Sequence, residues 1–248
     1  MTAAGGTVLQ AGYCFWYMRR GKNSNKEPVT AKAEGEETQG ASGAVNPYEN
    51  SIKIIATIHS VEQFWRVYDY LMRPNDLPTT TDYHFFREGI KPTWEDASNA
   101  KGGKWIVRLK KGLASRYWEE VILALIGGQF TGIPDGEVCG AVISIRFSED
   151  IVSIWNRTAI DRDVTDRLRD AIKRILQLPS HVHMEYKPHQ ASLQDKSSFR
   201  NTQVWKPKSL ESRESVRGAD GPHRRSGSWG EREERPKPKS RDVERAWR

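Results

Sequence analysis

The sequence predicts an α+β domain, in which a curved, mostly antiparallel β-sheet carries three helices on its convex face. Short runs of β-branched and aromatic residues recur along the chain, amphipathic helical segments lie between some of them, and glycine-rich or polar turns join others. Helices covering one face of a sheet are the simplest layered arrangement that buries the apolar surface of both.

Seven segments have the composition of β-strands. They are bounded by glycine or polar turn residues and cover residues 13–18, 51–58, 83–86, 104–110, 139–147, 151–155 and 183–187. Alternation in the fourth segment, 104–110, places Trp105, Val107 and Leu109 on one face of the strand. Lys104, Arg108 and Lys110 lie on the opposite face. Gly102-Gly103 is predicted to form a hairpin turn before this strand.

Three segments have helical periodicity. The first begins with a capping box, in which Ser60 is the N-cap and Gln63 follows three residues later. Its apolar stripe is formed by Phe64, Trp65, Tyr68, Leu71 and Met72. The second helix is predicted over 115–126, ending at Gly127-Gly128, and the third over 163–176.

Charge and composition divide the chain into a domain with polar appendages. Residues 208–248 contain 12 Lys/Arg and 8 Asp/Glu, and therefore carry +4 of the net charge of +7. We predict a flexible N-terminus over 1–12, a domain over 13–207 with a flexible insertion at 21–47, and a disordered basic tail over 208–248. Because the domain itself is only mildly basic, sequence-independent duplex binding is not favoured.

Several functional classes lack their sequence signals. Cys14 and Cys139 form neither a disulfide framework nor a zinc motif, and no nucleophile elbow, P-loop or metal-binding histidine pair occurs. We therefore expect no enzyme, no cofactor and no metal. There is no secretory signal, and the longest apolar run, 121–126, is too short to span a bilayer. These features predict a soluble, cytoplasmic protein without a membrane partner.

The stretch Lys91-Pro92-Thr93-Trp94-Glu95-Asp96 is the strongest candidate for a binding site. It sets an aromatic face beside a carboxylate, at the start of a loop. An indole attracts a cationic ring, and a carboxylate accepts the N–H groups of a guanine edge. The pair therefore suits a cationic purine such as 7-methylguanine, in a chain that has nine tryptophans.

Several separated motifs extend this interpretation. They are Val61-Glu62-Gln63-Phe64-Trp65, Gly89 to Asp96, Gly102-Gly103-Lys104-Trp105 and Cys139-Gly140-Ala141-Val142. In their order they resemble the translation initiation factor 4E family of messenger-RNA cap-binding proteins, over about residues 13 to 207. Within that family the chain resembles the class II branch, the 4E-homologous proteins. This rests on Lys111-Gly112-Leu113-Ala114-Ser115-Arg116, Trp205-Lys206-Pro207 and Tyr48.

The resemblance implies a cap pocket on the concave side of the sheet. Tyr48 and Trp94 would stack on the methylated guanine, Glu95 would accept its N–H groups, and Trp155 would contact its methyl group. The phosphates would face Lys104, Arg108 and Arg146. Two phosphate-side lysine positions of the family fall at Ile151 and near Gln194, where Lys196 is close enough to substitute. These departures, and a tyrosine in place of a second tryptophan, predict modest cap affinity.

The resemblance also implies a partner surface on the convex side. Phe64 and Trp65 are adjacent on a helix, so both cannot point to the core, and one should be partly exposed. The implied surface would bind the short helix of 4E-binding proteins, whose motif has a tyrosine and a downstream leucine, and it consists of Val61, Trp65, Glu120, Leu123 and Gly127. The family's His-Pro-Leu-Gln lead-in is Thr7-Val8-Leu9-Gln10 here, so the His-Pro contacts to partners are missing.

Four functions follow from these features. The favoured one is a translational repressor, brought by adaptor proteins to chosen capped messages, which competes for the cap without recruiting the initiation scaffold. The alternative is an initiation factor that does recruit the scaffold; Tyr48, and Glu119 where that factor has a leucine, disfavour it. A protein-interaction module with a vestigial pocket is disfavoured by the retained Trp94-Glu95. A cap-processing hydrolase is disfavoured because no metal-ligand set is evident.

Overall fold

The computed structural model describes residues 6–20, 51–179, 182–198 and 202–204, so Tyr48, the 21–47 insertion and the basic tail lie outside the described residues. Within these ranges eight strands form one sheet. They are β1 (Val8–Arg19), β2 (Ile52–Ser60), β3 (Thr81–Arg87), β4 (Gly103–Leu109), β5 (Val138–Ile145), β6 (Asp150–Asn156), β7 (Met184–Pro188) and β8 (Gln203–Val204).

The sheet is curved and antiparallel throughout, as predicted. Its strand order is β2-β1-β3-β5-β6-β4-β7-β8. Strand β4 therefore lies between β6 and β7, and pairs Lys104 with Trp155 on one side and with Lys187 on the other. This arrangement brings residues distant in sequence side by side at the centre of the concave face.

Helices α1 (Val61–Tyr68), α2 (Ala114–Ile126) and α3 (Arg162–Ile175) confirm the three predicted helices. They bury Phe64, Trp118 and Leu168 in the main core, against alternate residues of the strands. The Ser60 side chain accepts a hydrogen bond from the Gln63 amide, so Ser60 is the N-cap as predicted. Gln63 Oε1 accepts from the His59 amide, one residue before the N-cap, so the second bond differs from that of a capping box.

Strand alternation assigns the two faces of the sheet to different surroundings. In β3, Tyr83 and Phe85 enter the main core, whereas Asp82, His84 and Phe86 point to the concave face. A second, smaller cluster on the concave side contains Phe86, Ile90, Cys139, Val142 and Trp155, with Trp94 packed against it. The pocket is built beside this second cluster.

Several elements differ from the sequence prediction. Strand β1 begins at Val8 rather than Tyr13, because the segment before Tyr13 is held by the Thr7 carbonyl, which accepts from the Val61 amide at 3.0 Å. Helix α1 ends at Tyr68, since a turn and a short 3₁₀ helix, Pro74–Asp76, follow it; Leu71 and Met72 therefore lie outside it.

Gly102-Gly103 is not a hairpin turn, because the strand before it, β3, pairs with β1 and β5. These glycines are required by close approach instead. A Cβ on Gly102 would stand 1.9 Å from the Asn156 carbonyl oxygen.

A fourth helix, α4 (His189–Asp195), was not predicted and follows β7 directly. His189 at its start packs against Trp155, with ring centroids 4.1 Å apart, so α4 contacts the pocket cluster. No helix in the described ranges is long and apolar enough to cross a membrane. Nor do the described residues bring together a group of histidine, cysteine or acidic side chains that could hold a metal ion.

Candidate functional site

Trp94 and Glu95 lie on a loop that is held by hydrogen bonds between its own residues. Asp96 accepts hydrogen bonds from the Lys91 and Ser98 amides, at 3.0 and 2.8 Å. The Asn99 amide group donates to the carbonyls of Lys91 and Thr93, both at 2.8 Å, and Asn99 is fully buried. These bonds fix the backbone on both sides of Trp94, which is half-buried at the pocket, while Glu95 is exposed.

Trp155 forms the aromatic floor of the pocket. It is 4% exposed, packs edge-on against Phe86 with centroids 5.3 Å apart, and donates its indole N–H to Ser153 Oγ at 3.3 Å. His189 also packs against it, so the ring is held by neighbours from three elements, β3, β6 and α4. Trp155 therefore offers a rigid surface for a flat or cationic group.

Lys104 is the central cation of the pocket. Its Nζ lies over both aromatic walls, 5.8 Å from the Trp94 ring centroid and 5.4 Å from that of Trp155, and donates to Ser198 Oγ at 2.9 Å. The residue is only 3% exposed. Burial, together with the positive charges of Lys187, Arg20 and Arg146, lowers the pKa of Lys104 to about 7, although Asp82 opposes the shift. The sequence placed this lysine on a ligand-facing surface, and the structure places it deep inside.

Arg146 marks the other end of the pocket. Its Nη1 lies 2.7 Å from Asp82 Oδ1, and Arg20 Nε lies 3.4 Å from Asp82 Oδ2. Asp82 is almost wholly buried, so one carboxylate holds two guanidinium groups at the rim. Because the guanidinium groups outnumber this carboxylate, the end of the pocket suits an anion.

Arg108 shares the concave face but does not line the pocket. Its Nε bonds to Glu185 Oε1 at 3.0 Å, and its Nη1 bonds to Glu149. Hydrogen bonds to these two carboxylates raise its pKa above the ordinary value. Among the predicted phosphate contacts, the structure therefore brings Lys104 and Arg146 together in the pocket and pairs Arg108 with protein carboxylates.

The pocket also contains residues that the sequence interpretation missed. They include the polar residues Arg20, Asp82, His84 and Ser198. Ile151, predicted as a departure from the family pattern, lines the pocket too. The alternation of Asp82 and His84 with Tyr83 and Phe85 in β3 was a usable signal for a polar concave face. The pocket volume is about 40 Å³, well below the roughly 300–1,000 Å³ of ordinary ligand sites. The Lys104 ammonium, which lies over both rings, takes up part of the space beside them.

The five predicted partner-surface residues lie at α1 and α2 on the convex side. Trp65 is 39% exposed whereas Phe64 is fully buried, as their adjacency predicted. Trp65 packs edge-on against Phe64 and Tyr68. Glu120 is bound by Arg116 at 2.9 Å, and Arg73, after α1, reaches Glu119 on α2 at 3.8 Å. Val61 and Leu123 are half-buried and Gly127 is exposed.

Comparison with known proteins identifies matches over most of the domain. The model of the family "Eukaryotic initiation factor 4E" matches residues 8–204. The rice (Oryza sativa subsp. japonica) protein "Eukaryotic translation initiation factor NCBP" is 47% identical over 199 residues, covering 80% of this chain and 78% of its own. The Caenorhabditis elegans protein "Eukaryotic translation initiation factor 4E-4" is 48% identical over 155 residues, covering 62% of this chain and 72% of its own.

Solved structures agree with the fold. The C. elegans initiation factor 4E-3, in a complex with the 4E-binding protein Mextli and a cap analogue, is 32% identical, with a TM-score of 0.65 over 77% of this chain and 96% of that chain. The Ascaris suum initiation factor 4E-3 in complex with an m7G cap is 30% identical, with a TM-score of 0.63 over 82% of this chain and 100% of that chain.

Proposed function

Since this chain belongs to the eukaryotic initiation factor 4E family, we propose that its concave pocket binds the 7-methylguanosine cap of messenger RNA. One observation carries the proposal: two tryptophan rings, Trp94 and Trp155, converge on one pocket with the cations Lys104 and Arg146. Binding, rather than chemistry, is the use of such a site, and we infer that the protein is not an enzyme.

The proposed pose divides the cap between the two ends of the pocket. The methylated base stacks on Trp94, its edge N–H groups donate to Glu95, and its methyl group meets Trp155. The family resemblance implies Tyr48, which lies outside the described residues, as the second stacking partner. Stacking on an aromatic face contributes about 1–3 kcal/mol, and the positive charge of the ring adds up to roughly 2 kcal/mol when desolvated. The phosphates lie toward Arg146 and Lys104. Arg108 can contribute only if it leaves Glu149 and Glu185.

Tryptophan fluorescence tests this function directly. Titration with 7-methyl-GTP should quench emission saturably, plain GTP should not, and Trp94→Ala should abolish the response. Trp65→Ala is the matched control, because it removes a half-exposed tryptophan from the opposite side of the molecule and should leave the affinity unchanged. Equal responses to both nucleotides would contradict cap recognition.

In translation, we infer a class II role, similar to that of the 4E-homologous proteins. The protein would repress chosen capped messages by competing for the cap in the cytoplasm, and adaptor proteins would bring it there. Tyr48 in place of a second tryptophan and Glu119 on α2 support this role, because both weaken features that an initiation factor needs. The alternative is a factor that recruits the scaffold. A pull-down with the scaffold from cell extract separates the two: strong, cap-independent capture would favour the alternative.

For protein partners, we propose that Val61, Trp65, Glu120, Leu123 and Gly127 receive the tyrosine-leucine helix of a 4E-binding protein. The exposed indole of Trp65 beside half-buried aliphatic residues supports this, since helix-in-groove docking uses such apolar anchors. A synthetic peptide with the motif should bind the wild type and Trp94→Ala equally, and Trp65→Ala at least about tenfold more weakly. Equal binding by all three would contradict the assignment.

A further inference from the structure

His84 occupies the middle of the concave face, at the junction of the two ends of the pocket. Two residues before it, Asp82 holds Arg146 at 2.7 Å; two residues after it, Phe86 packs against Trp155. Side chains two apart on a strand point to the same face, about 6–7 Å from one another. His84 therefore lies between the charged end of the pocket and its aromatic end.

The imidazole of His84 is buried without a hydrogen-bond partner. The residue is 1% exposed, and neither Nδ1 nor Nε2 has a partner among the described residues. Burial, reinforced by Arg20, Arg146 and Lys104 and opposed by Asp82, lowers the pKa of His84 to about 4. The ring is therefore neutral near pH 7, with one N–H donor and one acceptor nitrogen.

An unpartnered buried N–H is costly, and a ligand that accepts from it recovers this cost on binding. The surrounding cations favour an anionic acceptor, while the aromatic end excludes one. A nucleotide whose base lies against Trp94 and Trp155, and whose distal phosphates lie at Arg146, places its first phosphate between them.

We propose that His84 is a further binding residue of the pocket, which donates its one imidazole N–H to the phosphate group nearest the nucleoside. This inference rests on the proposed cap-binding function and assigns a residue to a specific part of that ligand. In this role His84 distinguishes a nucleotide from a nucleoside and contributes nothing to the recognition of the base.

The test compares 7-methylguanosine with its 5′-monophosphate, by fluorescence titration of the full chain. In the wild type the monophosphate should bind more tightly than the nucleoside, and we call this ratio of affinities the phosphate gain. His84→Phe should reduce the phosphate gain about tenfold and leave the affinity for the nucleoside unchanged, as expected for the loss of one charge-assisted hydrogen bond. His84→Gln, which keeps an N–H donor, should restore part of the gain. His59→Phe is the control: His59 is exposed and bonds to Glu88 at 2.8 Å, so the gain should be unchanged.

A measurement on the wild type makes the test independent of whether the variants fold. Nitrogen-15 spectra of the histidine rings should show the protonated nitrogen of His84 shifting when the monophosphate binds and not when the nucleoside binds. An unchanged phosphate gain in folded His84→Phe, or an unshifted resonance, would overturn the inference and leave cap binding intact. Failure of the wild type to bind any methylated guanine would instead overturn the proposed function, and this inference with it.

Discussion

Replacing Lys104 with methionine should make the protein more stable. Burial and neighbouring cations lower the pKa of Lys104 from 10.5 to about 7. At about 1.36 kcal/mol per pKa unit, holding the ammonium in this site destabilises the fold by about 5 kcal/mol near neutral pH. Cation–π contacts with Trp94 and Trp155 offset about 1 kcal/mol each. The net gain expected for Lys104→Met is therefore about 3 kcal/mol.

The pH dependence follows from the sign of this shift. Between about pH 7 and pH 10.5 the unfolded chain binds a proton at Lys104 that the native protein does not, so the stability of the wild type rises with pH across this window. Below about pH 7 both states are protonated and the penalty is complete. The advantage of Lys104→Met should therefore be largest at about pH 6 and small by about pH 10.

Urea unfolding at several pH values measures both effects. Lys110→Met, on an exposed lysine just after the same strand, is the control and should change stability by less than about 0.5 kcal/mol. Ligand binding gives a second measurement. Without the ammonium over the rings, Lys104→Met should bind 7-methylguanosine more tightly than the wild type does. The additional affinity that the triphosphate contributes should be smaller in this variant. A variant less stable than the wild type, or a pH-independent difference, would refute the reasoning.

Three further predictions concern the framework of the pocket. Asn99→Ala should lose about 2 kcal/mol of stability, because two backbone carbonyls of the Trp94 loop lose their hydrogen-bond donor. Its affinity for 7-methyl-GTP should fall, whereas its affinity for a peptide that binds the convex side should not change. Asp82→Asn should lose about 3 kcal/mol in urea unfolding, since two guanidinium groups lose their buried counter-charge; an unchanged midpoint would contradict this. Burial raises the pKa of Cys139 to about 12, so its thiol should react with a disulfide reagent only at the rate of unfolding, and fast labelling of the native protein would contradict it.

Sequence patterns predicted the elements that have local signals, namely capping residues and apolar spacing. Helix α2 begins one residue before its predicted start and ends at Ile126 as predicted, and α3 is shifted by one residue, because caps and apolar spacing are local properties. Helix α4 has no such pattern. It is seven residues long, has no side-chain cap, and owes its place to the burial of His189 and Ser192 against the sheet. Tertiary packing of this kind is not visible in a local window.

The pocket could be predicted from motifs only in part. Trp94 was identified from the carboxylate beside it and from the family pattern, and Trp155 from the family pattern alone. The pocket brings them together with Lys104 and Arg146. Arg108 was predicted on the same face, but alternation along one strand does not reveal what the neighbouring strands contribute. Strands β6 and β7 flank β4, and Glu149 and Glu185 lie within reach of the guanidinium.

The alternation along β3 has a consequence for how the molecule can change. Tyr83 and Phe85 belong to the core under the helices, and Asp82 and His84 to the pocket, so neighbouring positions of one strand serve opposite surfaces. Substitution at Asp82 or His84 can alter ligand preference while the helix side keeps its packing, and the reverse holds at Tyr83 and Phe85. A single-residue insertion in this strand would exchange the two sets and damage both surfaces at once. A substitution in this strand therefore acts mainly on one surface, whereas a change of length acts on the pocket and the core together.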